Sequence, residues 1–177
     1  MKPLLAFIFL LGVVFFASSV STAQSEELES LYDQFDQLYE AEKYEEAIAI
    51  VEKTIELEER EYGTRSHLVG LGILSLLVVA DQYKAQGRYA EAEPLYQQAL
   101  AIKEKVLGPE HPDVAISLNN LALLYADQGR YAEAEPLYQR ALAIDEKAFG
   151  PEHPSVANSL NSLAILFNIQ GLDAEAE

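Results

Sequence analysis

From residue 112 onward, apolar side chains recur at the three- and four-residue intervals of an amphipathic helix. Val114, Ala115, Leu118, Leu121, Ala122 and Tyr125 form one stripe and predict a helix over 113–127. Gly129 stands where a left-handed residue commonly closes such a helix. A second stripe, Ala134, Leu137, Tyr138, Ala141, Leu142 and Ile144, predicts a helix over 131–149. Pro136 lies close to its start, where a missing backbone N–H costs little, and Gly150 stops it.

The same pattern returns. Residues 88–129 and 130–171 align without a gap at a period of 42 and agree at 31 of 42 positions. A diverged earlier copy begins at Tyr44, three extra residues separate it from the next, and a helix over 28–39 fits as its partner. A helix hairpin cannot bury both of its apolar stripes alone, but it can when stacked on a copy of itself. Ala122, Ala134 and Ala141 let backbones approach, and Tyr125, Tyr131 and Tyr138 fill the gaps between them. The expected fold is therefore all-α, an α-solenoid of antiparallel helix pairs at about 26–63, 67–108 and 112–150, with an incomplete unit at 154–177. The recurring Tyr89, Tyr96, Tyr125, Tyr131 and Tyr138 read as packing. The AEAE segments read as a solvated face with favourable acids in a first helical turn.

Leu118, Leu121, Ala122, Tyr125, Gly129, Tyr131, Ala134, Tyr138 and Ala141 have the spacing of a tetratricopeptide repeat, which this chain resembles. The 42-residue length, with LNNLALLYADQGRYAEAEPLYQRALAI and LGPEHPDVA, looks like the kinesin-light-chain type. The likeness runs from Leu28 to the end and is strongest from Tyr83 onward. What it implies is a non-catalytic scaffold for protein–protein interaction, with no cofactor and with first helices lining a concave groove.

Composition narrows the classes. The net charge is −17, which repels phosphate backbones and disfavours nucleic-acid partners. There are no cysteines, so disulfides, thiolate zinc sites and cysteine nucleophiles are excluded. The N-terminus, MKPLLAFIFLLGVVFFASSVSTAQ, sets Lys2 before a 14-residue apolar run from Leu4 to Ala17, followed by small residues. That is the layout of a secretory signal cut after Ala23, and the run falls short of the roughly 20 residues of a spanning helix. The expected location is secreted or periplasmic, with membrane contact only through the transient signal; the alternative is an uncleaved anchor.

GPEHP occurs at 108–112 and at 150–154, each copy with a histidine beside a glutamate. His111 and His153 are one repeat apart, and stacked units sit roughly 10 Å from one another, too far for one ion to bridge. His67 lies in a diverged linker. The letters read as punctuation: glycine closes one helix, proline forbids its continuation, the second proline opens the next, and His and Glu fill the turn. No metal site and no catalytic residue is expected.

The two near-copies differ at 11 positions. Of these, 116, 120, 123 and 127 are spaced i, i+4, i+7, i+11 and share one helical stripe. The candidate partner groove comprises Leu74, Val78 and Asp81; Ile116, Asn120, Leu123 and Asp127; and Asn158, Ser162, Ile165 and Ile169. Asn119 and Asn161 stand beside the stripe. Asparagine amides hydrogen-bond an extended backbone as donor and acceptor, Leu and Ile supply apolar pockets, and Asp81 and Asp127 favour a cation, Lys84 being the one base near this face. The alternative is surface that drifts, with Asn120 and Asp127 solvated and Leu123 and Ile165 packing.

In the repeat frame the last helix, about 155–170, lacks a complete partner, because Asp173 replaces the recurring tyrosine. An uncapped solenoid end suggests self-association, or a regulatory segment of a larger secreted enzyme such as a caspase-like protease. The partner expected in the groove is a protein or peptide.

Overall fold

The computed structural model describes residues 22–62 and 67–176, with side chains over 26–61 and 70–171. The predicted leader lies outside these residues apart from its last two positions, and so does the His67 side chain. Every regular element described is a helix: α1 (Thr22–Glu40), α2 (Tyr44–Tyr62), α3 (His67–Ala85), α4 (Tyr89–Leu107), α5 (Pro112–Asp127), α6 (Tyr131–Phe149) and α7 (Pro154–Ala176). None of them is long and apolar enough to cross a membrane. Contacts divide the chain into two units, Met1–Val79 and Ala80–Glu177.

In the first unit α1 packs on α2 around Leu28, Leu31, Tyr32 and Leu57, with Leu71 completing the cluster. The connecting turn ends α1 with two bonds: Glu42 N–H donates to the Tyr39 carbonyl at 3.0 Å and Lys43 N–H to the Leu38 carbonyl at 2.9 Å. This closure needs a left-handed residue at its centre, and Glu42 takes that role with φ 58°. The core also contains a carboxyl. Glu58 is fully buried and accepts the Tyr32 phenol at 2.5 Å.

In the second unit α6 lies against both α5 and α7, and α4 against α5. Val114, Ala115 and Leu118 of α5 meet Ala141 and Ile144 of α6, as the two stripes require. The end of α5 is closed by Gly129 at φ 72°: its N–H donates to the Ala126 carbonyl, and Arg130 N–H to the Tyr125 carbonyl, each at 2.9 Å. α5 and α6 fall within one residue of the expected spans. Tyr96, Tyr125 and Tyr138 are buried as expected, whereas Tyr89 and Tyr131 are half-buried.

Two expectations need correction. The AEAE glutamates are not all solvated. Glu93 is half-buried and binds Arg130 at 2.6 Å and the Tyr125 hydroxyl at 3.0 Å. Arg130 also lies over the Tyr125 ring, 4.2 Å from its centroid, so one guanidinium joins the start of α4 to the α5–α6 turn. α7 differs as well, because it runs through Gly171, where the repeat frame places a stop. At that point Leu172 stands where Arg130 follows Gly129. No guanidinium is there to bind a preceding aromatic and hold the chain in its reversal.

Candidate functional site

The GPEHP turns resolve first. His111 is the N-cap of α5: its Nδ1 accepts the Asp113 N–H at 3.1 Å, with Pro112 at the first helical position. His153 repeats this on α7, accepting Ser155 N–H at 3.2 Å. The histidines are therefore capping groups rather than turn fillers, doing with a ring nitrogen what Ser or Asp oxygens usually do. Glu110 pairs with Lys147 of α6, and Arg140 bonds the Pro109 carbonyl at 3.1 Å and Glu104 at 2.6 Å. Among the described residues, no three His, Asp or Glu side chains gather as metal ligands.

The variable stripe lies on α5 and recurs on α7. Ile116, Leu123 and Ile165 are between 44% and 54% exposed. Asn158, Asn161 and Asp127 are exposed too, while Asn120, Ser162 and Ile169 are half-buried. The Ser162 hydroxyl is taken up by the Asn158 carbonyl at 3.1 Å. Leu74 is exposed and Val78 half-buried in the first unit; Asp81 is exposed in the second.

Three further candidates have side-chain partners inside the protein. Asn119 is half-buried, and its amide donates to Ser159 Oγ on α7 at 3.4 Å. Ser159 in turn donates to the buried Asp145 carboxylate of α6 at 2.9 Å. Asn119, beside the stripe, thus tethers α5 to α7. Asp127 pairs with Lys84 at 3.0 Å, and Asp81 accepts the Tyr96 hydroxyl. Burial raises the Tyr96 phenol above its ordinary range, and the Asp81 carboxylate beside it adds to the rise. Tyr138 is pushed up to about 12, by burial first and then by the Asp127 charge. The cation that the two acids favour is partly supplied by Lys84. Along the stripe the amides of Asn120, Asn158 and Asn161 are flanked by exposed aliphatic side chains.

The Tyr96–Asp81 and Ser159–Asp145 bonds were not foreseen. A weak signal existed for the second: Asp145 replaces Lys103 between the near-copies, and a charge change on an inward helix position calls for a new partner.

The Tetratricopeptide repeat family pattern matches residues 72–147 and 113–177, together more than half of the chain. The structure is similar to that of a putative kinesin light chain with nearly identical TPR-like repeats from Podosopora anserina, at a TM-score of 0.59 and 26% identity over 97% of this chain and 80% of that one. It is also similar to BtubC (BKLC) from P. vanneervenii, at a TM-score of 0.52 and 20% identity over 85% of this chain and 68% of that one; that likeness bears on the fold alone. Tetratricopeptide repeats are generally protein–protein interaction scaffolds, and their proteins are typically non-catalytic. The chain belongs to the tetratricopeptide repeat family and is of the kinesin-light-chain-like kind.

Proposed function

We propose that this protein is a non-catalytic scaffold, secreted or periplasmic, that captures an extended segment of a partner protein along the exposed stripes of α5 and α7. One observation carries the reading: Ile116, Leu123 and Ile165 remain exposed at positions that vary between near-identical repeats, beside amides able to bind a peptide backbone. Apolar side chains kept in water on one side of a helix mark a contact surface. Extended peptides are held by backbone hydrogen bonds and sorted by side-chain pockets. The leader-like N-terminus supports the location, since a charged residue, an apolar run and small residues follow one another there.

The experiment is affinity capture from the matching extracellular or periplasmic fraction, followed by mass spectrometry. Capture is repeated with the double substitution Asn120→Ala and Leu123→Ala. A specific partner that is lost with the double variant, at unchanged helicity, supports the groove. Capture that survives the substitution places binding elsewhere.

A further inference from the structure

α5 keeps two aliphatic side chains in water although helices pack against it from both sides. Ile116 is 54% and Leu123 44% exposed, while α4 and α6 both lie on the same helix. The charge beside them is uneven. Asp81 and Lys84 stand near the end of α3, and Asp127 ends α5. Lys84 Nζ binds Asp127 Oδ2 at 3.0 Å. Asp81 gives one carboxylate oxygen to the Tyr96 hydroxyl. Asp81 is exposed, and its other oxygen has no partner among the described residues. Two acids thus meet one base, and the excess is negative.

A buried group is left over here as well. Tyr138 of α6 is only 4% exposed, yet its hydroxyl bonds to no described residue. The repeat explains why. Tyr138 is the copy of Tyr96 one period later, and in that copy Leu123 replaces Asp81, the acid that Tyr96 reaches. The copy of Lys84 is Ala126. In the repeat frame the phenol reaches position 123 and finds neither acid nor base to bind. Burial, and then the Asp127 charge, hold its proton in place, so it stays a donor. An unused donor in a nearly closed site gains from any acceptor that comes to it.

We propose that the stripe of α5 takes a basic, aliphatic segment of a partner protein: a lysine or arginine pairs with Asp81, a backbone carbonyl accepts the Tyr138 hydroxyl, and aliphatic side chains cover Leu123 and Ile116. The proposal rests on the groove reading above and names its visitor. Charge decides against the other classes. An acidic segment meets Asp81 and Asp127 in a chain of net charge −17, and a wholly apolar one leaves Asp81 unpaired. Lys84 is no anchor for a carboxylate, because Asp127 already holds it.

Spacing along the helix fixes the order of the visiting residues. At about 1.5 Å per residue, Leu123 stands about 6 Å and Ile116 about 16 Å along α5 from Asp127. An extended chain advances about 3.3 Å per residue. A segment lying along α5 therefore carries aliphatic residues about two and about five positions beyond the residue at Asp127.

The test pans phage displaying random peptides on the full chain at about 0.15 M salt, where distant charges are screened. Enriched sequences carry a lysine or arginine among Leu, Ile and Val and are depleted in Asp and Glu. A synthetic peptide of the leading sequence binds about fivefold more weakly when its basic residue becomes glutamine, the worth of an exposed pair. Asp81→Asn weakens the basic peptide by the same factor and leaves the glutamine peptide unchanged, which general attraction to an acidic chain does not do. Tyr138→Phe weakens both peptides about fivefold, with no fall in melting temperature, since its hydroxyl bonds nothing within the protein. If acidic or purely apolar peptides are enriched and are lost with Leu123→Ala, the stripe stands and the basic visitor falls. A basic peptide indifferent to Leu123→Ala binds elsewhere, and both readings fall. Absence of enrichment, or indifference to Asp81→Asn or to Tyr138→Phe, also overturns the proposal.

Discussion

The Tyr32 phenol donates to the Glu58 carboxyl across the first helix pair at 2.5 Å, with Glu58 fully buried. Burial pushes the Glu58 carboxyl up to about 8, and the Tyr32 bond offsets only part of this. The folded state therefore holds a proton that the unfolded chain releases near pH 4.5. The associated stability is fully present below that value and is lost as pH rises through 8. Asp36, also raised by burial, acts in the same direction. Glu93 is lowered, chiefly by its bond to Arg130, and acts oppositely, its contribution lost as pH falls. Stability is expected to be highest near pH 5. Glu58→Gln flattens the decline toward pH 8, gaining on the order of 3 kcal/mol at pH 7 and little at pH 4.5. Calorimetric melting across this range is the measurement, and equal slopes for the two proteins would show that Glu58 is not the group responsible.

Tyr125 combines a buried ring, a stacked guanidinium and two hydroxyl bonds. Tyr125→Ala is expected to cost about 3–5 kcal/mol. Tyr125→Phe, which keeps the ring and removes the bonds, costs about 1 kcal/mol. Denaturant titration separates the two, and an alanine effect under 1 kcal/mol would contradict this packing.

The left-handed positions give a paired test. Glu42 and Gly129 occupy matching places in two helix closures, with φ 58° and 72°. Glu42→Gly relieves a side chain held where L-residues are strained and stabilises by about 0.5–1 kcal/mol. Gly129→Ala meets open space, yet costs about 1–2 kcal/mol from backbone strain alone. Melting shifts of the same sign in both variants would refute the assignment.

His111→Ala removes the N-cap acceptor of α5 and costs about 1 kcal/mol, and His111→Asn restores most of it. If asparagine fails to rescue, the ring contributes through packing and not through Nδ1.

Much of the architecture was legible because helix ends and buried stripes are local matters. Val114 to Tyr125 repeat at intervals that only a helix turns to one side, and Gly129 needs nothing beyond its own backbone freedom. The misses concern partners distant along the chain. Arg130 and Glu93 stand 37 residues apart, Asn119 and Ser159 are 40 apart, and no 3.6-residue period connects either pair. His111 looked like filler because capping is usually the work of oxygen. Glu58 is the one buried glutamate in a run with Glu56, Glu59 and Glu61, so nothing local set it apart. The candidate stripe was readable as a stripe; that Asp127 already holds Lys84 was not, since that depends on how two helices meet.

The Arg130–Glu93 clasp also bears on how such a chain can grow. Arg130 opens one 42-residue block and binds Glu93 near the start of a helix in the block before it. A tandem copy inserted between two blocks arrives with both halves of the fastening, and lengthening by duplication demands no new invention at the joints. Leu172 is the point at which that hereditary thread is cut.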